Sequence, residues 1–379
     1  MDLGIIMLIL WLLFLFKRQA IIFAFIMNSD TVFCRPAFVR FIAPISWSLV
    51  LWIWSGLPLT AQYKLTKLNL DSDASLRGVS VVNNKVAWVS GHKGTVALTV
   101  DGGQTWTLKS PDGYAHLDFR TIYAFDEQKA IIANAGSPAY ILRTSDGGNT
   151  WVTVYENKHA AAFIDGADFW NDQDGLVYGD PIDGKMLLLR TLDGGLSWVS
   201  NELSPALKEG EASFAASGTG IRCYETGKAV IVTGGQISRL WFSDNTGFSW
   251  YHRSSPIIQG KASTGIFSIY IEDKFIITVG GDFDQPEAMD KHIFNSLSGG
   301  QTWMAPVTPT RGYRECVENI SGKTFVAVGP SGVDWSASKG KDWQALSEVK
   351  DLHVVRKARD GNLVLLAGGK GQLYRLEKE

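Results

Sequence analysis

A seven-bladed β-propeller of four-stranded antiparallel blades is the fold the sequence predicts. Three observations carry it. An eight-residue box recurs six times, short Val-rich runs fill the gaps between boxes, and no stretch after residue 62 carries a long helical period.

The boxes come first. They read TVDGGQTW (Thr99 to Trp106), TSDGGNTW (Thr144 to Trp151), TLDGGLSW (Thr191 to Trp198), SDNTGFSW (Ser243 to Trp250), SLSGGQTW (Ser296 to Trp303) and SASKGKDW (Ser336 to Trp343). Their tryptophans are spaced by 45, 47, 52, 53 and 40 residues. A period of this length, built from short strands, is that of a propeller or a similar array.

The strands come next. Leu76 to Val82, Lys85 to Ser90, Thr95 to Val100 and Thr105 to Lys109 make one set. Thr121 to Asp126, Ala130 to Asn134, Ala139 to Thr144 and Thr150 to Tyr155 make a second. Six boxes give six blades. Beyond Trp343 three more strands remain, Leu352 to Ala358, Asn362 to Ala367 and Gln372 to Leu376. An orphan strand, Tyr63 to Leu70, precedes the first set. Pairing that N-terminal strand onto the C-terminal three completes a seventh blade and removes the open edges of the ring.

The chain has 379 residues, 45% hydrophobic and 20% charged, with a net charge of -2. This balance offers no argument for nucleic acid or an acidic tail. Residues 1–61 differ from the rest. Gly4 to Phe16 and Phe41 to Leu57 are apolar runs, with Lys17, Arg18, Arg35 and Arg40 around them. From Met27 onward this reads as a secretory signal with cleavage after Ala61, although Leu59 fits the −3 position poorly. Met27 is then the true start, and a membrane anchor is the rival reading. The expected organisation is a leader over 1–61 and a propeller over 62–379. Cys34 leaves with the leader. Cys223 and Cys316 remain, either paired, as export allows, or free and buried.

The boxes resemble the Asp-box, or BNR, repeat. That repeat occurs in sialidases, in sortilin-type receptor propellers and in the photosystem II assembly and stability factors. The resemblance covers about residues 63–379. The segments FRTIYAF, VYGDPIDGK and VGGDFDQPE are similar to exported bacterial BNR-repeat proteins. The family implies the fold. It leaves function open, because the same architecture hosts both glycosidases and binding proteins.

A structural role accounts for every box residue. The glycines supply positive φ at a hairpin tip. Asp101, Asp146 and Asp193 bond turn amides. Trp106, Trp151, Trp198, Trp250, Trp303 and Trp343 lie over the hairpins. Asn245, Ser298 and Ser338 stand in the aspartate slot. They can hold a turn but cannot share one acid–base role.

Function is therefore expected on the opposite loops, at the channel mouth. Aligning the first strand of each repeat puts Arg77, Arg120, Arg222 and Arg314 at one position. Asp165, Phe267 and His353 occupy it in the other blades. Such a ring suits carboxylate or phosphate. The alternative is a solvated strand start, with arginines paired to Asp180, Asp183, Asp282, Asp284, Glu287, Glu209 or Glu211. Tyr313, Asp180 and Asp282 join the ring as partner-binding candidates. A one-residue slip would turn each side chain to the other face.

The arginines also invite comparison with sialidases. The resemblance would use Arg77, Arg120, Arg222 and Arg314 as a carboxylate clamp. Tyr313 or Tyr123 with Glu211 or Glu315 would form the nucleophile pair, and Asp165 the acid. The Phe-Arg-Ile-Pro motif of that family is absent, so no catalytic role is assigned. Histidines 92, 116, 159, 252, 292 and 353 show no ligand spacing. The acidic loop GGDFDQPEAMDKH reads as solvated rather than as a calcium site.

The expectation is an exported Asp-box propeller, periplasmic, cell-surface or extracellular, that acts as a monomer. It binds a protein or an acidic glycan without a cofactor, as an assembly or stability factor. It is not expected to bind nucleic acid, and it would touch a membrane only through an uncleaved leader. The alternative is a sialidase-like hydrolase or lyase acting on an acidic sugar.

Overall fold

The computed structural model describes residues 63–379. The leader, its cleavage point, the Met27 start and Cys34 lie outside the described residues. Seven antiparallel sheets follow in chain order. The inner strands are Leu76–Val81, Thr121–Ala124, Ile164–Phe169, Ile221–Tyr224, Thr264–Glu272, Cys316–Ser321 and Leu352–Lys357. Each inner strand contacts the next, and the last contacts the first, so they form a closed ring. The blades below are numbered one to seven in this order. No helix among the described residues is long and apolar enough to cross a membrane.

Blade seven is composite. Tyr63–Lys67 pairs antiparallel with Leu373–Lys378, running from Tyr63↔Lys378 to Lys67↔Tyr374. The sheet order places this N-terminal strand outermost. The Thr66 hydroxyl donates to Glu377 at 2.5 Å. Tyr63 meets Trp335 of blade six edge-on, with centroids 5.8 Å apart.

Blade five departs from the four-strand pattern. After Ile293–Ser296 its outer strand shrinks to a single bridge, Asn295↔Met304. Two short segments, Glu211–Ala212 and Gly234–Gly235, extend the sheet next to Thr264–Glu272.

Apolar clusters lie between neighbouring blades. Ile131 and Ile141 of blade two pack with Val177 and Leu189 of blade three. Both faces of most blades are therefore covered. Ala87–Gly91 and Phe275–Asp282 are buried at every residue. This explains why the middle strands read as apolar runs rather than alternating ones.

The boxes join third to fourth strands and fasten one blade to the previous one. In blade one the Thr99 hydroxyl donates to Asp101 Oδ1 (2.8 Å) and accepts from the Gly103 amide (2.9 Å). Asp101 accepts from the Thr105 amide (3.0 Å) and hydroxyl (2.5 Å). Gly102 and Gly103 sit at φ +77° and +88°, where a side chain is strained. Asn245, Ser298 and Ser338 accept the corresponding amide at 3.0, 2.8 and 2.8 Å. Across blades, Gly195 faces Ile131, Gly247 faces Leu176 and Trp151 Nε1 donates to the Lys109 carbonyl (2.8 Å).

These bonds carry a pH signature. Bonds from Thr105 hold Asp101 below its ordinary 3.8, at about 2, and bonds from Thr150 do the same for Asp146. A depressed carboxyl stabilises the fold above its unfolded pKa, and that stability is lost as pH falls through the folded value. Asp101→Asn with Asp146→Asn keeps the amide acceptor, as Asn245 does. The double variant is expected to lose less stability between about pH 4 and pH 2 than wild type. Acid titration followed by circular dichroism reads this. Parallel acid limbs would refute it.

Candidate functional site at the channel mouth

The position of each side chain at the mouth is set by a bulge near the start of the inner strands. In blade one the register shifts between Leu76 and Gly78, leaving Arg77 unpaired. The same shift isolates Asp165, Phe267 and His353. The residue after the bulge resumes the pairing with the second strand, as in Gly78↔Ser90, Gly166↔Tyr178 and Val354↔Ala367. Thr121↔Ala133 and Cys316↔Val328 are the equivalent pairs in blades two and six. In blade four the Val232 amide bonds the Gly220 carbonyl. The ring position is therefore held by Arg77, Arg120, Asp165, Thr219, Phe267, Glu315 and His353.

This corrects the sequence alignment in two blades. Arg314 falls one residue early, and the turned side chain enters the core. It is 0% exposed and paired with Asp334. Arg222 falls late, in a deeper layer, where its Nε donates to the Ile269 carbonyl (2.8 Å) and Nη2 meets Glu318 at 3.4 Å. Two ring arginines remain, not four.

At the ring, Arg77 Nη1 donates to Glu315 Oε2 (2.7 Å), and His353 Nδ1 lies 2.9 Å from the same oxygen. Arg77 and His353 hold the Glu315 carboxyl below its ordinary value despite burial. Arg120 Nε donates to Asp118 Oδ2 at 2.7 Å, and its side chain is 33% exposed.

The channel is not open at this level. The segment Ser213 to Thr219 (SFAASGT) reaches inner strands of four blades and so crosses it as a plug. The Ala216 carbonyl accepts from Arg77 of blade one (2.9 Å). The Ser217 hydroxyl donates to the Glu315 carbonyl of blade six (2.9 Å). Phe214 stacks on Phe267 of blade five, with centroids 3.9 Å apart. Gly218 lies against Gly166 of blade three with no room for a Cβ on the latter. Small residues allow this passage.

The other predicted site residues are mostly engaged. Tyr313 is buried edge-on against Phe267, 4.7 Å between centroids. Asp282 accepts the Asp284 amide (3.0 Å) and faces Lys261 (3.4 Å). Glu211 pairs with Arg239 and accepts from the Thr233 hydroxyl (2.7 Å) and Trp241 (3.2 Å). Tyr123 lies under Arg359, 4.5 Å from its guanidinium. Of the residues considered for a sialidase-like set, Arg77 and Glu315 meet as an ion pair, while Arg222, Arg314, Glu211 and Tyr123 are engaged by other partners. Asp165 differs. It is buried with neither carboxyl oxygen hydrogen-bonded. Burial and then nearby Asp180 raise its pKa well above the ordinary value, against the pull of Arg120. Asp180, also raised by burial, accepts the Ser213 amide at 3.0 Å.

Beside the plug is a cleft of about 540 Å³, lined by Ser137, Phe163, Asp180, Pro181, Ala212 and Gly235 among others. It is formed by the same class of loops as the ring, those entering first strands and those joining second to third strands. Cys223 and Cys316 are free thiols. Among the described residues no cluster of three or more His, Cys, Asp or Glu could hold a metal ion.

Comparison with known proteins places this geometry. The family model described as photosynthesis system II assembly factor YCF48 matches residues 57–162, which include two boxes, Arg77 and Arg120. No curated protein matches the sequence. Among solved structures, YCF48 bound to D1 peptide superposes with a TM-score of 0.63 at 16% identity, over 84% of this chain and 97% of that one. YCF48 from Cyanidioschyzon merolae gives 0.61 at 15%, over 83% and 98%. A GH74 xyloglucanase from Xanthomonas campestris gives 0.51 at 13%, over 81% of this chain and 60% of the enzyme. At these identities the structural likeness is one of fold. The recurring boxes, the closed ring of seven blades and the matched N-terminal segment make the chain a BNR-type propeller similar to the photosystem II assembly factor YCF48.

Proposed function

We propose that the protein is a non-enzymatic binding propeller, an assembly or stability factor that holds a segment of a protein partner on its plugged mouth. The observation that carries this reading is the plug. The segment Ser213 to Thr219 fills the channel with contacts to blades one, five and six and leaves the mouth as a surface with an adjoining cleft of about 540 Å³. Arg120 and Arg77 stand at that surface and suit a carboxylate on the partner. The peptide named in the YCF48 complex supports a protein rather than a glycan as the partner. Acidic glycan is the other outcome to test, and export through the leader belongs to the same reading.

The buried arginines are unsuitable probes, because replacing Arg222 or Arg314 disturbs the core. Arg120→Glu and Arg77→Gln are the informative variants. Crosslinked capture of a native protein partner is expected to fall about tenfold or more for the double variant, with an unchanged circular dichroism spectrum. Unchanged capture would remove these arginines from the site, and capture of uronides or sialosides instead would replace the protein partner. Sequencing the same exported preparation is expected to find Gln62 at the mature N-terminus.

A further inference from the structure

Beneath the plug a small cavity of about 10 Å³ remains, bordered by Arg120, Thr121 and Tyr123 of blade two, Ser217 and Gly218 of the plug, and Arg356 of blade seven. Its polar wall is rich in donors. The Arg356 side chain is 19% exposed and makes no hydrogen bond among the described residues. Its acid contact is Glu318 at 3.7 Å, beyond hydrogen-bonding reach, and Glu318 already serves Arg222 at 3.4 Å. Arg120 commits only Nε, to Asp118. The Thr121 hydroxyl is buried, at 2% exposure, with no partner. Buried donors and a guanidinium without an acceptor are costly unless something else satisfies them.

We propose that this cavity is a binding site for a small monovalent anion, a halide such as chloride, held between Arg120, Arg356 and the Thr121 hydroxyl. Size and charge select this class. The volume is that of about one water-sized sphere, too small for a carboxylate on a chain segment. A water satisfies donors but leaves the charge uncompensated. A halide accepts from every direction and brings a negative charge to the Arg120 and Arg356 guanidiniums. The acids nearby are engaged elsewhere. Glu318 also serves Arg222, and Asp168 accepts the Cys223 amide at 2.8 Å and the Phe169 amide at 3.0 Å. Burial and then the neighbouring Arg222 lower the pKa of Arg356, against the pull of Glu318 and Asp168. The bound ion would tie blade two and the plug to blade seven, the blade that closes the ring.

Bromide is the probe. Crystals of the wild-type protein soaked in bromide are expected to show an anomalous peak between Arg120, Arg356 and Thr121. The melting temperature is expected to be about 2 °C or more higher in sodium bromide or chloride than in gluconate at equal ionic strength. Thr121→Val is expected to weaken bromide about fivefold, and Arg356→Met to abolish both peak and increment. No peak at that point, or a water only, overturns the site. Equal melting temperatures in halide and gluconate overturn the bridging role. Both decisive readings use wild-type protein, so they stand even if Arg356→Met fails to fold.

Discussion

Asp334→Ala is expected to cost about 3 to 5 kcal/mol, as removal of one partner of a buried ion pair does. The carboxylate serves two arginines. Arg314 Nε donates to Oδ2 at 3.0 Å, and Nη2 meets the same oxygen. Arg311 contributes its amide at 3.0 Å and Nε at 2.8 Å. Arg314 Nη1 is further engaged by the Ser331 hydroxyl (2.6 Å) and the Tyr313 carbonyl (2.8 Å). Without Asp334 a fully buried guanidinium loses its counter-charge. Burial already lowers the pKa of Arg314, and Asp334 is the main opposing influence. A loss of this size is a large part of the 5 to 15 kcal/mol that holds an ordinary domain. Pairing Asp334→Ala with Arg314→Met is expected to recover part of it, because the orphaned charge goes too. Urea melts of both single variants and the double test this. A single variant within about 1 kcal/mol of wild type would refute the role of the pair.

Starting the chain at Leu68 is the second large perturbation. It removes Tyr63–Lys67, whose five register pairs cover the outer edge of Leu373–Lys378. It also removes the packing of Tyr63 and Leu65 against the core shared by blades six, seven and one. Lost ladder bonds and apolar burial together amount to about 5 kcal/mol. The exposed edge becomes a template for pairing with another chain. The expected outcome is a lower melting temperature together with dimers or aggregates on size-exclusion chromatography. A truncated chain that stays monomeric and melts where the full chain does would show that the strand does not close the ring.

These two results fall on different sides of what could be read from the chain. The closing strand was legible. Three strands without a box at one end and one orphan strand at the other leave a single economical pairing. The boxes were legible because their chemistry is local. A glycine at positive φ, an acceptor two residues after the Thr or Ser and a tryptophan at the end are all specified within eight residues. The Arg314–Asp334 pair was not legible. Its partners are 20 residues apart, and a bulge decides which face each residue takes. The spacing of the first strands alone sets Arg314 where Glu315 stands.

The plug was missed for a related reason, although a signal was present. From Trp198 to the next inner strand at Ile221 the chain runs 23 residues, against 15, 13, 14, 13 and 9 after the other boxes. The extra length ends in Ala-Ala-Ser-Gly-Thr, small enough to pass between inner strands. Length and small side chains announce that a segment goes somewhere confined, but not where.

The sequence by itself determined the repeat, the number of blades and the way the ring closes, because hairpin chemistry and strand periodicity are short-range. Tertiary structure alone decided which arginines reach the mouth, that the channel is plugged, and that Arg120, Thr121 and Arg356 border one cavity. Those facts depend on bulge positions and on residues from several blades meeting near one axis, and chain order does not encode that meeting.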